Sequence, residues 1–125
     1  MSRERIRTSS APDPIGPYSQ AIHADGVLFC SGQIPIDPKT GELVAGDVSA
    51  QTERVLRNLE AVLLAAGKSF DRVVKTTIYL VDIADFSAVN AVYENYFGSV
   101  KPARSTVAVA ALPKGARIEI DCTAL

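Results

Sequence analysis

The chain has little of the material from which metal centres and disulfide frameworks are built. It contains one histidine, His23, and two cysteines, Cys30 and Cys122, in 125 residues. One histidine excludes a His/Cys metal cluster within a single chain. The two cysteines lie in apolar stretches, which indicates small core residues rather than a disulfide framework. We therefore expect no metal site.

Long apolar runs and an excess of charge of one sign are also missing. No segment approaches membrane-spanning length, and the formal net charge is −1. A nearly neutral chain argues against a broad nucleic-acid or membrane footprint. The start, MSRERIRTSS, has arginines but no apolar segment after them, so it does not read as a secretory signal. We expect a cytoplasmic protein.

The composition that is present is that of an ordinary globular protein. Apolar residues make up 47% of the chain and charged residues 22%, which excludes the disordered class. A length of 125 residues suits one domain. We therefore expect one domain that spans residues 1–125.

Extended runs and turn residues dominate the first third of the chain. Residues 6–8 form a candidate edge strand before a proline-rich loop. The two runs around residues 24–26 read as a hairpin. Residues 27–30 are apolar on both faces, which is typical of a strand buried on both sides. Residues 35–47 read as a polar loop.

Two amphipathic helices follow, with a strand between them. Residues 48–67 carry an apolar stripe at helical spacing, with either Asp47 or Ser49 as the N-cap. Residues 72–82 are rich in β-branched side chains and predict a strand. Residues 85–99 predict the second helix, whose first residue is a candidate N-cap. The full order is β-β-β-α-β-α-β-β.

The closing stretch, KPARSTVAVAALPKGARIEIDCTAL, reads as two apolar strands joined by a Leu-Pro-Lys-Gly turn. We expect strands over 105–111 and 117–123, with Arg104 and Glu119 on neighbouring strands. Each helix joins two strands, so both helices can pack on one face of the sheet. The apolar side chains on the other face then need a cover, and another subunit is the simplest one.

Five motifs, in this order, resemble those of the RidA family, also called YjgF. They are IGPYSQAI, FCSGQIPIDPKTGELV, QTERVLRNLEAVLLAAG, VVKTTIYLVDIADFSAVNAVYENYF and PARSTVAVAALPKGARIEIDCTAL. The resemblance implies an α+β chorismate-mutase-like fold with one mixed sheet, and a homotrimer with ligand clefts between subunits. It also implies hydrolysis of 2-iminopropanoate and 2-iminobutanoate to 2-keto acids and ammonia, without a metal or an organic cofactor.

Two residues fit this chemistry. A 2-imino acid carries a carboxylate beside its C=N bond, and the fork of a guanidinium binds such a group with directed hydrogen bonds. Arg104 matches the family's carboxylate-binding arginine, although the motif PAR alone is more typical of a solvated arginine. A carboxylate can orient water and move protons, and Glu119 matches the family's glutamate. Asp121 has the same side-chain type on the same half-solvated strand, so only the position within IEI favours Glu119.

Further candidates surround these two residues. Tyr18 matches an aromatic residue that lines the cleft, although a tyrosine in such a loop also packs as a plug on the core. Gly32 matches a position where main chain approaches the ligand, and a strand bulge would give the same signal. Ser31 and Gln33 are weaker candidates. Asn90 has an amide that we expect to hydrogen-bond a loop or strand end and to shape the pocket.

Thr106 departs from the pattern of some family members, which carry cysteine two residues after the arginine. If this residue gives only its backbone N–H to the carboxylate, the exchange is mild. If a thiol is needed for the chemistry, activity is in doubt. Hydrolysis of an activated C=N bond needs no thiol nucleophile, which favours the first alternative.

The sequence is compatible with three candidate functions. The resemblance implies an enzyme that removes imines released by pyridoxal-phosphate dehydratases, without a stable complex with them and without that cofactor. A sensor of 2-keto acids would use Arg104 but would not need Glu119. A ribonuclease usually needs several acid–base groups and cations near the phosphate, which one histidine and a net charge of −1 disfavour.

Overall fold

The computed structural model describes residues 2–125. Its elements are, in chain order, β1 (Arg3–Ile6), β2 (Ala21–Ala24), β3 (Val27–Gln33), β4 (Ile36–Asp37), β5 (Glu42–Leu43), α1 (Val48–Ala65), β6 (Val73–Leu80), α2 (Phe86–Phe97), β7 (Ala103–Ala108) and β8 (Ile118–Ala124). Short 3₁₀ turns precede β6, α2 and β8. Within residues 2–125, no helix combines the length and apolar character needed to cross a membrane.

Six strands form one mixed sheet in the order β1-β2-β3-β8-β6-β7. The β6–β7 pair is parallel and the other neighbouring pairs are antiparallel. Helix α2 connects β6 and β7, which are adjacent in the sheet. The connection from β3 to β6 runs through β4, β5 and α1, and β8 lies between those two strands in the sheet. The β2–β3 hairpin turns at Asp25 and Gly26, whose φ angles of 51° and 79° suit a two-residue turn with both centres left-handed. The predicted α+β class and mixed sheet are confirmed.

Two predictions for the first third of the chain are wrong. Residues 35–47 contain the two-stranded hairpin β4–β5 instead of only a loop, because Ile36 pairs with Leu43 and is buried. The edge strand covers residues 3–6 rather than 6–8. Strand pairing ends before Thr8 because the side-chain amide of Gln20 hydrogen-bonds both the N–H and the C=O of Thr8.

The prediction that the last two strands are neighbours is also wrong. Strand β6 lies between β7 and β8 and pairs with both. The crossover through α2 places β7 parallel to one edge of β6, and β8 pairs with the other edge. The observed bounds also differ from the predicted ones: β7 covers residues 103–108 instead of 105–111, and β8 covers 118–124 instead of 117–123.

Both helices pack on one face of the sheet. Alternate side chains of the central strands are buried against them, namely Leu28, Cys30, Ile78, Leu80, Ile118, Ile120, Cys122 and Ala124. The predicted stripe of α1 is fully buried in the same core. The two cysteines are free thiols in this core, as predicted.

The two helix starts differ in how they are capped. Asp47, one of the two candidates, caps α1 by accepting a hydrogen bond from Ala50 N at 3.0 Å. Asp85 occupies the N-cap position of α2, as predicted, but its side chain makes no capping hydrogen bond. Its carboxylate instead accepts two hydrogen bonds from Arg117 Nη2, at 2.9 and 3.0 Å. The charged guanidinium of Arg117 is a stronger hydrogen-bond donor than a backbone N–H group at the start of α2.

No element of residues 2–125 covers the opposite face of the sheet. We call it the open face, and it carries Phe29, Tyr79, Val107, Glu119, Asp121 and Thr123. Phe29 is 52% exposed and Val107 is 42% exposed. The expectation that residues 27–30 are buried on both sides therefore does not hold within one chain, because Phe29 points away from the helices.

Candidate active site

The candidate residues divide between two cavities. The first, which we call the glutamate cavity, has a volume of about 460 Å³, and its lining includes Tyr18, Ser31, Gly32, Gln33, Lys114 and Glu119. The second, the arginine cavity, has a volume of about 470 Å³, and its lining includes Asn90, Tyr93, Glu94, Lys101 and Arg104. The family resemblance implies that these residues share one site in a cleft between subunits, and one protomer alone does not bring them together.

Sheet order and register keep Arg104 and Glu119 apart. Glu119 pairs with Tyr79 and belongs to the open face. Arg104 pairs with Thr76, which is fully buried on the helix side. Their strands are two sheet positions apart, which is about 10 Å. A ligand of four or five carbons therefore cannot bind both side chains of the same protomer.

Glu119 reaches the glutamate cavity beside a glycine. The β3–β8 register shifts between Cys30 and Gln33, and Gly32 lies inside this irregularity. The Glu119 carboxylate occupies the space where a side chain at position 32 would be. Gly32 therefore marks a bulge, one of its two sequence interpretations, and it leaves room for the Glu119 carboxylate. The approach of main chain to a ligand at this position stays a prediction.

Glu119 is a half-buried carboxylate whose environment raises its pKa. Burial raises the pKa of the Glu119 carboxyl above its ordinary value, and the nearby charge of Asp121 raises it further. Asp121 lies outside the cavity lining and accepts a hydrogen bond from Tyr79 Oη at 2.9 Å. A half-buried carboxyl with a raised pKa suits proton transfer near neutral pH. Their positions relative to the cavity thus distinguish Glu119 from Asp121, which side-chain type alone does not do.

A buried glutamine that sequence reasoning missed holds the loop above this cavity. Gln20 is 2% exposed, and its Nε2 donates to the carbonyls of Ala11 and Pro12 at 3.3 and 2.9 Å. Ser31 supports the same loop, because its Oγ donates to Ser19 O at 2.6 Å. The Ser31 hydroxyl hydrogen is therefore committed to the loop. The sequence does carry one signal for this role, which is a glutamine at the junction of a proline-rich loop and a strand.

Tyr18 is held at the mouth of the glutamate cavity by this loop. Its side chain is on the surface, with the residue 53% exposed, and its Oη accepts a hydrogen bond from Ile15 N at 3.3 Å. The interpretation as a plug packed on the core is therefore wrong. The exposed ring is available to cover a bound ligand.

Arg104 is oriented by its neighbours rather than solvated. Its Nη1 donates to Asn90 Oδ1 at 2.8 Å. Its guanidinium carbon lies 4.9 Å from the ring centroid of Tyr93 and 5.4 Å from that of Phe86, which is cation–π geometry. Tyr93 is itself fixed by a 2.7 Å hydrogen bond between its Oη and Thr76 Oγ1.

No carboxylate within residues 2–125 forms an ion pair with Arg104. A half-buried guanidinium without a counter-ion retains N–H donors and positive charge for a ligand carboxylate. Thr106 lies two residues further along the strand, and its Oγ1 is buried without a hydrogen-bond partner in the part of the chain described. Its hydroxyl does not line the arginine cavity.

The fold is that of a small α+β protein with two surface cavities, one lined by Glu119 and the other by Arg104. Residues 8–125 match the family described as Endoribonuclease L-PSP. The chain belongs to this family, which is the RidA (YjgF) family of the sequence resemblance.

Three similar proteins illustrate the family. A RutC family protein of Pyrococcus horikoshii is 57% identical over 98% of this chain and 97% of its own. The 2-iminobutanoate/2-iminopropanoate deaminase of Homo sapiens is 50% identical over 100% of this chain and 91% of its own. The crystal structure of E. coli TdcF with bound serine has a TM-score of 0.93 and 41% identity, over 98% of each chain.

Proposed function

We propose that this protein hydrolyses 2-imino acids, including 2-iminopropanoate and 2-iminobutanoate, to 2-keto acids and ammonia. The observation that carries the proposal is Arg104, which is held by Asn90 and two aromatic rings and has no ion-pair partner within residues 2–125. Support also comes from the human relative of 50% identity, which is named for this activity.

The chemistry needs only the side chains of this chain. Arg104 binds the substrate carboxylate and so fixes the C=N bond next to it. The Glu119 carboxylate accepts a proton from water, whose oxygen adds to the imine carbon, and the proton passes to nitrogen. In the resulting carbinolamine, the hydroxyl proton passes to nitrogen as the C–N bond breaks, which releases ammonia and yields the 2-keto acid. The oxygen of the water thus ends in the new carbonyl group, and its two hydrogens end in the ammonia.

Two copies of the chain are needed to bring these groups together. Arg104 and Glu119 open on different sides of one protomer, and the open face exposes Phe29 and Val107 for contact with another copy. We place the arginine cavity of one subunit against the glutamate cavity of its neighbour in a homotrimer. The number three rests on the family resemblance.

The remaining candidates take supporting roles in this site. Tyr18 covers the ligand, Gly32 leaves room for the glutamate, Ser31 holds the loop, and Thr106 contributes through its backbone. The proposal includes no metal or organic cofactor. The substrates arrive free from pyridoxal-phosphate dehydratases in the cytoplasm, without a stable complex between the enzymes.

A coupled assay tests the proposal. A dehydratase generates the imine from serine or threonine, and keto-acid formation is followed with increasing amounts of this protein after subtraction of the uncatalysed rate. We expect acceleration in proportion to the protein added. Binding of 2-oxobutanoate without any acceleration would replace the enzyme by a sensor of small carboxylates.

A further inference from the structure

We propose that the arginine cavity holds a second functional cation, Lys101, and that its preferred ligands carry two carboxylates. This inference rests on the proposed function and adds a substrate class to it, the 2-imino dicarboxylic acids of four or five carbons. Arg104 would bind the carboxylate next to the imine, and Lys101 would bind the carboxylate at the far end of the substrate.

The backbone holds Lys101 at the edge of this cavity. Its N–H donates to Phe97 O at 2.9 Å, which ties it to the end of α2. Its φ angle is 52°, in the left-handed region that disfavours residues with a β-carbon. Pro102 follows and limits the backbone further. A strained residue at a cavity edge, where glycine would be unstrained, points to a use for its side chain.

The charges that line the cavity are unbalanced. Lys101 and Arg104 are cations, and Glu94 is the one acidic residue in the lining. None of these three residues takes part in an ion pair within residues 2–125. A monocarboxylate satisfies Arg104 and leaves Lys101 unpaired. A dicarboxylate satisfies both cations, and the flexible stem of lysine can follow substrates of slightly different length.

Calorimetry with two stable keto acids of equal chain length tests the inference. The probes are 2-oxoglutarate, which has two carboxylates, and 2-oxopentanoate, which has one. We expect the wild-type protein to bind 2-oxoglutarate about three- to tenfold more tightly, the effect of one further charge contact in a partly exposed site. Lys101→Gln should remove this preference and weaken 2-oxopentanoate binding much less than 2-oxoglutarate binding.

Two further variants sharpen the test. Glu94→Gln removes the carboxylate that repels a dianion and should strengthen 2-oxoglutarate binding. Lys39→Gln is the control, because it removes an exposed lysine from the β4–β5 turn, outside both cavities, and should change neither affinity. High salt should reduce the preference for 2-oxoglutarate, since exposed charge contacts are screened.

Failure of this inference and failure of the proposed function give different results. Equal wild-type affinities for the two keto acids, or unchanged 2-oxoglutarate binding in Lys101→Gln, would overturn the dicarboxylate preference. The proposed function would then still stand if 2-oxopentanoate binding depends on Arg104 and imine hydrolysis is accelerated. Absence of both binding and acceleration would overturn the function and this inference together.

Discussion

The Glu119 carboxylate lies where the β-carbon of any residue other than glycine would be placed at position 32. A β-carbon at position 32 would overlap Glu119 Oε2 and would lie 2.8 Å from Glu119 Cδ. The nearest atoms in this overlap all belong to the flexible Glu119 side chain. Strand β3 therefore need not move to accept a methyl group, but the carboxylate must.

Gly32→Ala should inactivate the enzyme without unfolding it. Displacement of the carboxylate should lower kcat/KM for imine hydrolysis by about a hundredfold or more, the usual contribution of a positioned acid–base group. The melting temperature should change little, because a Gly→Ala exchange also restricts the unfolded chain. A coupled assay and thermal melts measure the two effects. Normal activity would show that the position of Glu119 is not critical.

Glu119→Gln should separate binding from catalysis. The amide keeps the size of the side chain and removes the base, so hydrolysis should fall by about a hundredfold to ten-thousandfold while 2-oxobutanoate still binds. Asp121→Asn is the matched control on the same strand face, since asparagine can still accept the hydrogen bond from Tyr79. It should retain activity within a few-fold. Equal losses in both variants would contradict the assignment of Glu119.

The raised pKa of Glu119 predicts a pH-dependent stability. Between its ordinary pKa and the raised pKa of the folded state, the native protein binds more protons than the unfolded chain. The stability that this group contributes is therefore fully present below the ordinary pKa, and it falls as pH rises through the raised value. Glu119→Gln should melt at a higher temperature than wild type at neutral pH. The difference should disappear at about pH 4.

The same pKa sets the acid limb of activity. Because the base form of Glu119 is required, kcat/KM should fall as pH drops through its raised pKa. Asp121 is the second cause of the shift, after burial. Asp121→Asn should therefore move the acid limb to lower pH. A limb that stays in place in this variant would mean that another group controls it.

Arg104→Ala should strongly weaken keto-acid binding. The loss of one side of a desolvated charge pair costs on the order of 3 kcal/mol, about a hundredfold in affinity. Asn90→Ala leaves the guanidinium charge and removes its 2.8 Å contact, so it should weaken binding less. Calorimetry with 2-oxobutanoate measures both effects. Wild-type affinity in Arg104→Ala would place the ligand elsewhere.

Subunit mixing tests whether two copies build one site. Arg104→Ala and Glu119→Gln should each be inactive alone. Trimers co-assembled from equal amounts should regain about a quarter of wild-type activity, since one contact in four joins an intact arginine to an intact glutamate.

Sedimentation equilibrium should give about three times the chain mass of 13.3 kDa. A monomer, or no recovery in mixed trimers, would exclude the shared site.

The sequence by itself determined the local elements. The stripe of Val55, Leu59 and Val62 specifies α1, and Asp25-Gly26 specifies the β2–β3 turn, because each depends on residues within a few positions of one another. The five motifs also led to the correct family, which the comparisons confirm.

Only the tertiary structure decided how the site is divided. Whether β8 pairs with β7 or with β6 depends on long-range contacts, and the α2 crossover favours β6 as the shared neighbour. The face that a side chain occupies depends on register, where a shift of one residue reverses every orientation. These two choices place Arg104 on the helix side and Glu119 on the open face. Their separation within one chain follows from pairing across the sheet, which no local pattern encodes.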